Sequence, residues 1–182
     1  MTVINSVGNA LTGSTGTGLF VGATSPTLVT PTIGAATATN ITFSNYATGG
    51  IIGTSTNDSA ASTYVGEVIT ATNSGGTAVS AGAATNVTSI SLTAGDWDVF
   101  GNVVGTGSVN VTSTYSWIST TSTTLPAIPS YNVVSAAGAG YGVQAPTSRL
   151  SLSGTTTVYL GGQIGGSGTL TLYGKIYARR AR

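Results

Sequence analysis

The stretch Asn86 to Val104, NVTSISLTAGDWDVFGNVV, constrains this chain more than any other. Val87, Ile90 and Leu92 stand among Thr and Ser, and Thr93-Ala94-Gly95-Asp96 interrupts them. Trp97, Val99 and Val103 then resume on alternate positions. Successive side chains of a strand point to opposite faces, so this alternation describes strands with one buried face and one wet face. Gly95 stands where the turn between them needs a residue tolerant of positive φ. The stretch predicts two strands around a tight turn, with Trp97 as a large core anchor.

The remaining composition agrees with strands. Only 5% of the 182 residues are charged, against about 25% in an ordinary soluble domain. Gly, Thr, Ser, Ala and Val take their place. Thr and Val lose rotamer freedom in helices, and Ser competes for backbone hydrogen bonds. Mean hydropathy is +0.31 and net charge +1, which is not the low-hydropathy, high-charge signature of disorder. A near-neutral strand-rich monomer would aggregate through its edges, so a stable oligomer is expected.

Residues 1–57 carry no acidic or basic side chain. Short apolar phrases are punctuated by Gly and Pro, and Pro26 and Pro31 bracket an extended Thr27 to Thr30. One copy of such a segment cannot bury a core, whereas several wound together can. An extended arm or shaft is expected, reaching at most about 190 Å at 3.3–3.6 Å per residue. The N-terminus shows no basic and apolar leader pattern, and no apolar run reaches the roughly 18 residues of a membrane helix. The chain therefore reads as made in the cytosol and not membrane-inserted.

From Asn57 and Asp58 onward the pattern changes. Asn57 or Asp58 is the expected cap of a short helix over Ser59 to about Tyr64, stopped by Gly66. Strands are predicted at 65–72, 84–92, 96–104, 108–119, 131–135, 149–153, 156–164 and 169–178. Gly75-Gly76, Gly105-Thr106-Gly107 and similar clusters are read as turns, and 120–130 and 136–146 as loops. About eight short strands indicate an all-β sandwich, jelly roll or small barrel over 58–182.

Catalytic chemistry finds little to work with. The chain has no His and no Cys, which removes Ser-His-Asp and Cys-His machinery. Its four acids are Asp58, Glu67, Asp96 and Asp98. Asp96 and Asp98 share a strand face, but two ligands are few for a hard cation, which takes about six or more oxygens. A solvated outer face is the expectation for that pair. No cofactor and no metal are expected. Lys175, Arg179, Arg180 and Arg182 fall in the last eight positions. They suit either an anionic ligand or a charged, solubilising strand end. With no second basic patch, nucleic acid is not an expected partner. Tyr115, Trp117, Tyr131 and Tyr141 suit a recognition surface or equally a core or subunit contact.

The phrase GSTGTGLFVGATSPTLVTPTIGAATATNITFS resembles shaft repeats of tailed-bacteriophage tail-fibre proteins. The ordered set TAGDWDV, RLSLSGTTTVYLGGQ and TLYGKIYARRAR resembles the C-terminal module of phage fibre and head-fibre proteins. The resemblance implies a homotrimeric, non-enzymatic virion protein, with a jelly-roll-like head over 58–182. The arm, 1–57, would attach to other virion proteins, and the head would meet a host surface glycan or protein. Tyr131, Tyr141 and Gln144, in or beside the expected loops, are the receptor-contact candidates it implies. A capsid decoration or head-fibre protein is the alternative.

Overall fold

The computed structural model describes residues 58–182, so the expected arm lies outside the described residues. No described residue is helical. Seven antiparallel strands carry the fold: β1 (Val68–Val79), β2 (Thr85–Leu92), β3 (Gly95–Ser119), β4 (Tyr131–Gln144), β5 (Ser148–Leu152), β6 (Thr156–Ser167) and β7 (Leu170–Arg180). The expected all-β class is thus observed.

They form a single sheet built around the 25-residue β3. Along one edge β3 pairs with β7 over Trp97 to Gly107, then with β6 over Asn110 to Ser119. Along the other it pairs with β5 over Gly95 to Val99, then with β4 from Asn102 to Trp117. β1 flanks β7, and β2 flanks β6.

The long strand is folded double. A Cβ on Gly105 would lie 2.7 Å from Thr114 Oγ1 and 2.8 Å from Ile164 Cδ1. In a straight strand, residues nine apart would be separated by about 30 Å. The two halves of β3 therefore face each other across the core, and β6 and β7 follow them. The fold closes nearly into a barrel: β1 lies against β2, and Asn73 Nδ2 donates to the Val87 carbonyl across the seam at 2.9 Å. Asn132 Nδ2 likewise reaches the Gln144 carbonyl at 2.9 Å, joining the two ends of β4.

The fold of β3 comes with a change of parity. Trp97, Val99 and Val103 point inward in its first half; Thr114, Ser116 and Ile118 do so in its second. Pairing with both β4 and β6 steps from Val111 to Ser113 and leaves Thr112 unpaired. One extra residue reverses which face is buried. Leu92, Leu160, Leu172 and Ile176 complete a fully buried core around Trp97. Each such aliphatic side chain contributes about 1.5–3 kcal/mol by leaving water.

Several expectations are corrected. Gly105-Thr106-Gly107 is not a turn but part of β3, because these glycines make room for the opposite wall. Residues 136–144 are strand, not loop. Gly75-Gly76 sits within β1 as a register irregularity held by Asn73, whose Oδ1 accepts from Gly76 N at 2.9 Å. No helix spans Ser59 to Tyr64. Thr63 has φ +75°, outside the right-handed helical region, and its amide donates to Glu67 Oε2 at 2.9 Å. The strands on either side of Gly95 exist, but they do not pair with each other: β2 pairs with β6 and β3 with β7.

Candidate functional site

Two groups of polar side chains stand out. The first lies where β7 ends beside the start of β3. Arg180 points inward and is 3% exposed. Its Nε donates to Glu67 Oε2 at 2.9 Å and its Nη1 to the Ala94 carbonyl at 2.8 Å. Nη2 donates to Thr93 Oγ1, and the guanidinium lies 4.3 Å from the centroid of the Trp97 ring. A Cβ on Gly95, at φ +137°, would run into the same guanidinium. Glycine is thus required there for both backbone and space.

Asp96 is also buried, at 3% exposed, where a solvated face was expected. Arg149 Nη2 donates to its Oδ2 at 2.8 Å, and Arg182 Nε to the same oxygen. The two guanidinium groups cover a carboxylate that otherwise faces outward. Asp98 keeps the outer-face position, in register between Arg149 of β5 and Arg179 of β7. The hydrogen bond from Arg149 holds the Asp96 carboxyl below its ordinary range against the opposing effect of burial, with Arg182 adding to it. Burial pushes the Glu67 carboxyl up, but the Thr63 amide and Arg180 outweigh it and the net direction is down. Both acids are ionised and engaged, which suits a structural clamp rather than proton transfer.

The basic C-terminal run is therefore divided. Arg180 is inside the barrel wall, and Arg182 covers Asp96. Lys175 and Arg179 are exposed on the outer face of β7.

The second group occupies that outer face. Asn102 of β3 is in register with Gln144 of β4 on one side and Lys175 of β7 on the other. One step along, Phe100 is opposite Tyr177, their rings 6.0 Å apart and inclined at 57°. With the Gly101 backbone these residues line an open groove of about 250 Å³. The Asn102, Gln144 and Lys175 side chains make no hydrogen bond or ion pair with other described residues. The groove is thus a row of uncommitted donors and acceptors beside an aromatic corner.

Of the receptor-contact candidates, Gln144 lies in this groove. Tyr131, the first residue of β4, is elsewhere, on the outer face beside the second half of β3, where its ring is 5.5 Å from that of Tyr115. Tyr141 turns inward and packs against the core. Trp97 is fully buried, as expected of a core anchor. Phe100, Asn102, Lys175 and Tyr177 were missed as a set. Their signal was the period of two in FGN and KIY, which becomes informative only once β3 and β7 are known to pair.

Among the described residues, no group of three or more His, Cys, Asp and Glu lies together as a metal site. No described helix is long and apolar enough to cross a membrane. No protein-family model, no curated protein and no solved structure matches the chain. The fibre resemblance accordingly rests on the sequence phrases that carry it.

Proposed function

We propose that the protein is a non-enzymatic structural component of a tailed-bacteriophage virion. It is a short tail fibre, homotrimeric, attached by residues 1–57 and meeting the host surface with its C-terminal barrel. The observation that carries this reading is the division of polar groups over 58–182. The two buried carboxylates are bound to arginine, while uncommitted amides, an ammonium and two aromatic rings gather on one outer sheet face. That is the layout of a binding module on a rigid β scaffold, not of acid–base machinery. The doubled-over β3, with β6 and β7 following it, supports a jelly-roll-like head. Three copies would multiply a weak contact through avidity.

Immunogold labelling of intact particles with antibody to the full chain tests the assignment. Label at the tail, with adsorption blocked by the same antibody, is the expected result. Label over the capsid faces would replace the tail fibre with a capsid decoration protein.

A further inference from the structure

We infer that the outer groove between β4, β3 and β7 binds an acidic sugar: a pyranose bearing a carboxylate, seated against Phe100 and Tyr177 with its charge on Lys175. The inference rests on the host-contact reading and names the ligand class of that same surface.

The lining sets the ligand's properties one at a time. Phe100 and Tyr177 offer inclined ring faces, which suit the C–H side of a saccharide ring rather than a flat aromatic slab. Asn102 and Gln144 supply two amides, each able to donate and accept, which match paired hydroxyls. Neighbouring strands are about 4.8 Å apart, so Gln144, Asn102 and Lys175 sample a line of about 10 Å. That line exceeds one sugar ring and falls short of an extended chain. The groove volume of about 250 Å³ sits just under the roughly 300–1,000 Å³ of drug-sized pockets. One or two ring units fit.

Charge selects among sugars. Lys175 is the one ionised group in the lining, and no carboxylate lines the groove. Its ammonium has no acidic partner among the described residues. Arg179, two positions along the same outward face of β7, stands in register with Asp98, so Lys175 is the cation on which the selection rests. A ligand carboxylate therefore meets an unpaired cation and gains charge-assisted hydrogen bonds. A purely apolar ligand would instead strand both amides and the ammonium without partners. A nucleic acid strand would need a track of cations along its backbone, and this groove offers one.

The test uses the full chain on oligosaccharides bearing glucuronate, galacturonate or sialate, each beside its carboxyl-reduced neutral counterpart. Carboxylated members should bind about tenfold or more tighter than the reduced ones, as loss of a charge-assisted contact implies. Lys175→Gln should abolish that preference. Tyr177→Ala should weaken both members of a pair, with thermal unfolding showing that each variant is folded. No carboxylated binder, equal binding of reduced sugars, or binding untouched by Lys175→Gln overturns the inference. Particle labelling separates the two readings. Tail label with no sugar bound removes the acidic sugar alone. Capsid label with carboxylate-dependent binding removes the fibre alone.

Discussion

Arg180 ties the end of β7 to two stretches far away in sequence: Glu67 before β1, and the corner from Thr93 and Ala94 to the Trp97 ring. A lysine carries its three donors on one nitrogen and lacks the planar fork that aims Nε, Nη1 and Nη2 at three separate acceptors. Truncating Arg180 to Met should destabilise the barrel by about 3–5 kcal/mol, because Glu67 is then left buried without its cation. Replacing both, Glu67→Leu with Arg180→Met, should recover much of that loss, since the buried charge is gone too. Chemical denaturation of the two variants measures the difference. If the double variant is no better than the single one, the aromatic and carbonyl contacts of Arg180 matter more than its charge.

The same residues set a pH response. Glu67 and Asp96 are both held below their ordinary values in the folded chain. Below the ordinary carboxylate range the unfolded chain therefore takes up protons that the folded chain still refuses. The stabilisation is complete at neutral pH and is lost as pH falls from about 4 toward the folded values. A melting curve series from pH 7 to pH 3 should show this fall, and Asp96→Asn should flatten it. The sequence placed these arginines together as one basic cluster but not on opposite sides of a wall. Period-two counting along KIYARR does separate Lys175 and Arg179 from Arg180. What it could not supply was the partner of each, since Glu67 is 113 positions from Arg180 in the chain.

At the scale of the element, β3 decides the topology by changing its buried face once. Deleting Thr112 should remove that change and turn Thr114, Ser116 and Ile118 outward, or force the strand to slip. Loss of the cooperative unfolding transition is the expected outcome, while Thr112→Ala, at an exposed position, should stay within about 0.5 kcal/mol of the parent chain. A folded deletion variant with an unchanged transition would show that the parity is set elsewhere. Apolar alternation made the strands themselves legible: 84–92 was expected where β2 spans Thr85–Leu92, and 156–164 where β6 begins at Thr156. Glycine misled the reading of β3 and β4. Gly105 and Gly138 look like breaks in one dimension, yet a Cβ on Gly105 would enter the facing wall, and one on Gly138 would run into the Tyr141 hydroxyl. Gly105 reflects close approach across a barrel, which neighbouring residues in the chain do not reveal.

At the scale of the folded unit, residues 58–182 present two unlike outer faces. One, on β4, β3 and β7, carries the polar groove and the exposed cations Lys175 and Arg179. The other, on the second half of β3 and the first half of β4, carries Tyr115, Tyr131 and the exposed Val133, with no charged side chain in either stretch. β4 pairs only with β3 among the described residues, and it has neither charge nor proline to discourage a further contact. In a chain of net charge +1, such a face favours self-association over solubility. The proposed trimer would place its subunit contacts here and leave the groove open outward. Sedimentation equilibrium of the full chain at micromolar concentration should give three times the 17.8 kDa chain mass. Val133→Lys should shift the population to monomer by placing a desolvated ammonium against an apolar neighbour. Lys175→Gln, on the opposite face, should leave the trimer intact. A monomeric parent chain would refute the trimer. A trimer that tolerates Val133→Lys but is lost with Lys175→Gln would reverse the roles of the two faces, putting the groove inside the assembly and excluding it as a host-facing site.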